Sequence, residues 1–333
     1  MLNIEYNAHR AKMFRWLGFN FAAAPALAGW TWSYPAVQSN TVYSMWITGD
    51  NQLITVGDLG AVTLWDNGVG RVLPAPTRQT LRAVWGTSLD YFIVAGDNGV
   101  VLLWNGQIWQ GISSPSSTNW RSLWGASPTC VFVGSDSGII GRWDGSGALI
   151  CESVSNAYIY ALSGLSSADV YAAAGFPGLL HWDGAAWSSV DTGLGYGFDV
   201  WAMPSGEVLV LGDGDGMTIL QGRVGAWTPL FNEDFASPLR FGGTAVDNLL
   251  IEGVVSGYGA AGGNIPPPPR PFNVGFAWDG SELRQVSWRW ADSCNALSKR
   301  EGASPIIGGG VRGVLGQWDG TSRNIIESNE GDC

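Results

Sequence analysis

Asp58, Asp97 and Asp136 recur 39 residues apart between short apolar runs, and Asp213 and Asp215 occupy the corresponding place further along the chain. Carboxylates gathered from several such turns are the oxygen ligands that Ca²⁺ prefers, and they would equally hold a basic ligand. A second reading stands beside this one. Asp and Gly are what tight turns demand, because Asp bonds its own backbone two residues on and Gly tolerates positive φ. The turn Gly175-Phe176-Pro177-Gly178 interrupts the acidic series, which favours turn residues over an ion site, and no cofactor is expected. Catalysis has little to stand on. The two histidines, His9 and His181, lie 172 positions apart, and the chain has no metal-ligand spacing, nucleophile elbow or phosphate loop. Two carboxylates from separate repeats would suit glycoside hydrolysis, yet nothing singles out a pair. The expectation is a chain that is not an enzyme.

Two segments break the regular pattern and are the candidates for partner contact. Residues 256–274 form an inserted Pro/Gly-rich arm carrying Tyr258, Pro267, Pro268, Pro269 and Arg270. A proline run adopts extended polyproline II at low ordering cost, which suits a contact arm, although loops also tolerate insertion cheaply. Residues 1–28 place Arg10, Lys12 and Arg15 ahead of an apolar stretch ending in Ala26-Leu27-Ala28. That ending resembles a secretory cleavage site. Glu5 in the basic part, and Asn20 and Pro25 in the apolar part, argue instead for a retained helical extension that offers Met13, Phe14, Trp16 and Leu17 for assembly.

The elements that must position these residues come from an internal repeat. Trp65-Asp66, Trp104-Asn105, Trp143-Asp144 and Trp182-Asp183 follow one another at 39-residue intervals, and Trp278-Asp279 and Trp318-Asp319 extend the series. A second marker, Trp46, Trp85, Trp124, Ser163 and Trp201, keeps nearly the same register. Between the markers lie four short β-rich runs, as in 81–86, 91–96, 100–104 and 108–113. Turn pairs such as Asn105-Gly106 predict type I′ hairpins. A lone four-stranded sheet exposes two apolar faces, and radial packing of successive sheets covers both. The fold expected is therefore all-β: a β-propeller of seven blades, each of four antiparallel strands, over residues 29–333, with the short helical extension ahead of it. Ring closure falls either to residues 29–40 or to the run 321–328.

Over residues 41–325 the units resemble the bacterial tryptophan-rich propeller repeats, in which a stretch like Leu81-Arg82-Ala83-Val84-Trp85-Gly86 precedes a Gly-Asp turn and a Trp-Asp-Gly. Asp169-Val170-Tyr171 and His181-Trp182-Asp183-Gly184 carry the pattern closely. The units lack the Gly-His element of WD repeats, and Gly99 to Trp104 is longer than the Gly-to-Trp span of sialidase-type Asp boxes. The resemblance implies a fold and leaves function open.

Charge and cysteine usage bound the partners. The net charge is −11 and only Lys12 and Lys299 are lysines, so no basic footprint for nucleic acid exists. No run reaches the length of a membrane span. Cys130 and Cys151 fall on strands two and four of one unit and read as buried thiols, while Cys294 and Cys333 would meet only if the last units join. The expected role is a structural or recognition propeller in a larger extracellular assembly, such as a virion, a phage tail component or a bacterial surface filament. It would contact protein partners, a glycan or a cell-surface receptor. A secreted carbohydrate-binding propeller and a propeller hydrolase or lyase are the alternatives.

Overall fold

The computed structural model describes residues 40–49, 52–67, 69–214, 216–233, 237–245, 248–255, 272–281, 283–286, 294–297, 299, 306–310 and 315–318. The helical extension with Met13, Phe14, Trp16 and Leu17 lies outside them, as do Asp215, Tyr258, Pro267, Pro268, Pro269, Arg270 and Cys333. So do residues 29–39 and 321–328, which were expected to compete for ring closure.

Among the described residues the strands form six four-stranded sheets and one three-stranded sheet, each in sequence order. The first sheet takes Val42–Gly49, Gln52–Gly57, Val62–Asp66 and Val69–Val72, and the second takes Leu81–Ser88, Tyr91–Gly96, Val101–Trp104 and Trp109–Gly111. All pairings within them are antiparallel. The first strands of the next five sheets are Trp120–Ser127, Ile159–Ser166, Tyr196–Ala202, Ser237–Ala245 and Cys294–Leu297. Each first strand contacts the first strand of the following sheet, and Cys294–Leu297 contacts Val42–Gly49, so the inner strands close into a ring. This is a β-propeller. The strand Phe272–Trp278 pairs with Asn248–Val255 from Val255 opposite Phe272 onward, so Phe272, Asn273 and Val274 belong to a strand.

The first-strand tryptophan is the joint between sheets. Trp46 donates Nε1–H to the Gly86 carbonyl of the next sheet at 2.6 Å. A Cβ on Gly125 would lie 2.7 Å from the Trp85 ring, and one on Gly164 would lie 2.7 Å from the Trp124 ring. Each indole therefore lies against the glycine that follows the next sheet's marker position, where no side chain stands in the way. Where Ser163 replaces the tryptophan, its Oγ accepts the backbone N–H of Ala202 at 2.9 Å, across the same inter-sheet boundary. The third-strand Trp104 packs backward, in a core shared with Ile54, Val62 and Leu64 of the first sheet.

The turns sharpen the sequence reading. Gly106, Gly145, Gly184 and Gly280 have positive φ, but the Asn or Asp before each does not. These are not type I′ turns. The leading side chain acts as an internal cap instead: Asn105 Oδ1 accepts from Gln107 and Ile108, and Asp183 Oδ1 from Ala185 and Ala186. That bonding holds the residue at negative φ and leaves only glycine left-handed. Cys130 and Cys151 are free thiols on the second and fourth strands of the third sheet, separated by Ile139–Trp143.

Gly125→Val places a branched side chain on the Trp85 ring and should cost about 1–3 kcal/mol from overpacking. Trp85→Ala should cost about 3–5 kcal/mol from the cavity. Urea unfolding of both variants checks the joint, which predicts similar behaviour for the equivalent pair Trp124 and Gly164.

Candidate functional site

A β-bulge sits at the same place in every first strand. The register skips one residue at Tyr43, Arg82, Arg121, Tyr160, Phe198, Leu239 and Asn295. A bulge leaves one residue unpaired and re-aims its side chain. Tyr43, Arg82, Arg121, Tyr160 and Phe198 all line the central channel, a space of about 980 Å³. They ring its mouth on the side of the second-to-third-strand turns that carry Asp58, Asp97 and Asp136.

In the first three sheets that mouth is a polar arc. Arg82 grips Asp97 with both prongs, Nε–H to Oδ1 at 2.6 Å and Nη2–H to Oδ2 at 2.9 Å. Arg121 holds the next turn with one bond, donating from Nη2 to Asp136 Oδ2 at 2.9 Å, while its Nη1 lies 3.8 Å from Asp97. Asp136 also accepts from Asn119 Nδ2 at 2.8 Å and Thr118 Oγ1 at 3.3 Å. Burial raises the Asp136 carboxyl, but the Asn119 and Arg121 hydrogen bonds and the Arg121 charge outweigh it and hold the group below its ordinary value. Tyr43 takes the arginine's place in the first sheet. The Arg82 guanidinium lies 4.9 Å above its ring, and burial, followed by the charge of Asp58, pushes its phenol up.

In the fourth and fifth sheets the same positions are aromatic. Gly175 N–H bonds Tyr158 O as Asp136 N–H bonds Asn119 O, so Tyr158 stands where Asn119 stands and Gly175-Phe176 replaces the aspartate turn. Tyr158 and Tyr160 stack at 5.6 Å, Tyr160 meets Phe198 at 5.5 Å, and Phe198 stacks on Tyr196 at 6.4 Å. The row is open to solvent: Tyr158 is 46% exposed, Tyr160 41% and Tyr196 53%, with Phe176 beside them at 69%. Buried aromatics need no explanation, but a contiguous exposed row does.

Inside the channel, buried Asp199 accepts the backbone N–H groups of Val200 at 2.9 Å and Phe241 at 3.1 Å, and binds Lys299 Nζ. Lys299 also donates to Val200 O at 3.2 Å and lies 4.6 Å over the Phe241 ring. Burial lowers its ammonium group, with the Asp199 charge opposing. At the other end, His181 Nε2 lies 2.8 Å from Asp169 Oδ1 and its ring packs 4.7 Å from Tyr171. Burial and then the Asp169 charge push the Tyr171 phenol to about 12. His181 is thus tied into a blade-packing network.

Two of the acidic turn residues therefore meet arginines rather than one another. Asp97 and Asp136 are consumed by Arg82 and Arg121, Asp58 stands beside Tyr43, and Asp213 lies at the far end of the aromatic row as the Cα partner of Tyr196. Among the described residues no three His, Cys, Asp or Glu side chains gather as a metal would require. None of the described helices is long and apolar enough to cross a membrane. Sequence reasoning passed over Tyr43, Arg82, Arg121 and Tyr160. Their signal was available, because they share the 39-residue period three places before each marker.

No family model matches the chain, and no curated protein matches it. Solved structures do. One described as YCF48 bound to D1 peptide aligns with a TM-score of 0.62 at 12% identity over 90% of this chain and 98% of its own. The WD40 β-propeller domain of Doa1 gives 0.64 at 14% identity over 87% and 96%. The computationally designed Ika8 protein gives 0.58 at 13% identity over 87% and 99%. At these identities the likeness shows the fold alone, a β-propeller.

Asp136→Asn removes a carboxylate whose folded value is depressed. Its stabilisation is complete above the unfolded value near 4 and is lost as pH falls through the lower folded value. The variant should lose about 1 kcal/mol at neutral pH and show a flatter decline in Tm below about pH 4. Lys299→Met leaves Asp199 buried without its cation and should cost about 3 kcal/mol in urea unfolding.

Proposed function

We propose that this chain is a non-catalytic, seven-bladed protein-interaction propeller that captures an extended peptide segment of a partner at the aromatic side of its channel mouth. The observation that carries the reading is the contiguous row of exposed Tyr158, Tyr160 and Tyr196, joined through the partly buried ring of Phe198. Rigid aromatic anchors beside a polar rim are what recognition surfaces use, since they supply contact area at small entropic cost. The peptide bound by YCF48, a neighbour of the same fold, supports a peptide as the kind of ligand a propeller can take. The blade count rests on the seven bulged inner strands and their closed contacts. A non-catalytic role is supported by the mouth carboxylates Asp97 and Asp136, which are engaged by fixed donors.

The setting we propose is a larger extracellular assembly: a virion or tail component, or a bacterial surface filament. Its support is compositional, an acidic chain with two lysines, 48 glycines and a resemblance to tryptophan-rich bacterial repeats.

Selection of a displayed library of random short peptides on the full chain tests the reading. Enriched peptides should bind the wild type and lose about tenfold or more in affinity on Tyr160→Ala, the loss expected for a central anchor. Enrichment of no peptide, or of peptides indifferent to Tyr160→Ala, would overturn it.

A further inference from the structure

Resting on the peptide-capture reading, we infer that the captured segment of the partner is anchored by an arginine side chain, whose guanidinium pairs with Asp213 and lies on the exposed ring of Tyr196. Other sheets of the same propeller already hold an arginine in this way.

The strand registers make the comparison. In the second sheet Leu81 faces Gly96 just before the bulge at Arg82, and Asp97 follows Gly96. In the third, Trp120 faces Ser135 just before the bulge at Arg121, and Asp136 follows Ser135. In the fifth, Gly197 faces Gly212 just before the bulge at Phe198, and Asp213 follows Gly212. Asp213 therefore holds the place of Asp97 and Asp136, while a phenyl ring stands where each of those has its arginine. Among the described residues no Lys or Arg lies within ion-pair distance of Asp213, which is partly exposed.

The first sheet shows what serves such a turn. Its bulge residue is also aromatic, Tyr43, and its turn carries Asp58. The guanidinium comes from outside the sheet: Arg82 reaches across from the second sheet and lies 4.9 Å over the Tyr43 ring. The fifth sheet has no such lender beside it. The bulge residue of the sixth sheet is Leu239, which carries no charge, and that of the fourth is Tyr160.

The platform is in place. Tyr196 and Asp213 are directly opposed in an antiparallel pair, so their side chains share one face of the sheet with Cβ atoms about 5 Å apart. Tyr196 ends the aromatic row: Phe198 stacks on it at 6.4 Å, no other ring meets it among the described residues, and it is 53% exposed. A guanidinium on the free part of that ring gains cation–π attraction. Its planar fork meets the carboxylate in a geometry that an ammonium lacks. In a chain of net charge −11, a cationic anchor is also the complementary one.

The test pans a displayed library of random short peptides on the full chain and on its Asp213→Asn variant, then measures labelled copies of the enriched peptides by fluorescence anisotropy. Selection on the wild type should enrich arginine at one position, and selection on Asp213→Asn should not. Replacing that arginine by citrulline, which keeps the shape and loses the charge, should weaken binding about tenfold. Replacing it by lysine should weaken binding about threefold. Asp213→Asn should weaken the arginine peptide about fivefold, less so at high salt, and leave the citrulline peptide unchanged. That unchanged binding also shows that the variant folds. Enriched peptides that depend on Tyr160 yet lack arginine would overturn the inference and leave peptide capture standing, whereas enrichment of no peptide would overturn both. Lysine binding as tightly as arginine, or equal losses for the arginine and citrulline peptides on Asp213→Asn, would overturn it as well. The chain's own Arg270 is the competing source: Arg270→Ser should leave affinity unchanged, and a gain of about tenfold would assign the site to this chain rather than to a partner.

Discussion

A tryptophan on one sheet's inner strand lies against a glycine on the next, and the propeller depends on that contact. The indole of Trp85 fills the space a side chain on Gly125 would need, and Trp124 does the same at Gly164. Trp46 adds a hydrogen bond to the Gly86 carbonyl. Because the ring is large and rigid and the glycine has no Cβ, the two sheets approach at one separation only. Three successive boundaries carry the joint, Trp46 with Gly86, Trp85 with Gly125 and Trp124 with Gly164, and the inner strands close into a ring. At Ser163 the boundary is bridged by other means, a hydrogen bond that the Ser163 hydroxyl accepts from Ala202 N–H.

With the walls fixed by that joint, the bulge residue three places earlier is relieved of packing. It varies from Tyr43 through Arg82 and Arg121 to Tyr160 and Phe198 without disturbing the register around it. The mouth thereby divides into two chemistries on one scaffold. One arc is spent on Arg–Asp pairing, which rigidifies the turns and cancels charge. The other presents aromatic rings to solvent. Arg82, Arg121, Arg223, Arg240 and Lys299 all line the channel, yet Asp97, Asp136 and Asp199 sit within ion-pair distance of three of them. The pairing keeps the channel from acting as a field of one sign.

Much of this was readable in advance. The 39-residue period, the four runs per unit and the position of the tryptophans follow from alternation and turn chemistry, which act over a few residues. The hairpin type did not follow, because Asn105 and Asp183 bond forward to the backbone and so keep negative φ. The pattern marked Asp97 and Asp136 as turn residues but did not reveal that they pair with Arg82 and Arg121, which the bulges aim at the turns of their own sheets.

The sequence alone determined the repeat, the strand order within each unit and the need for neighbours to cover two apolar faces, because these are consequences of local periodicity. Only the tertiary structure decided which residues share the mouth. Tyr160 and Phe198 are 38 positions apart in the chain and 5.5 Å apart in the ring, a meeting produced by the closure of the inner strands and invisible to any local pattern. The same closure brings Lys299 to Asp199 across one hundred positions. Packing geometry between repeats, not the content of any one repeat, makes the site.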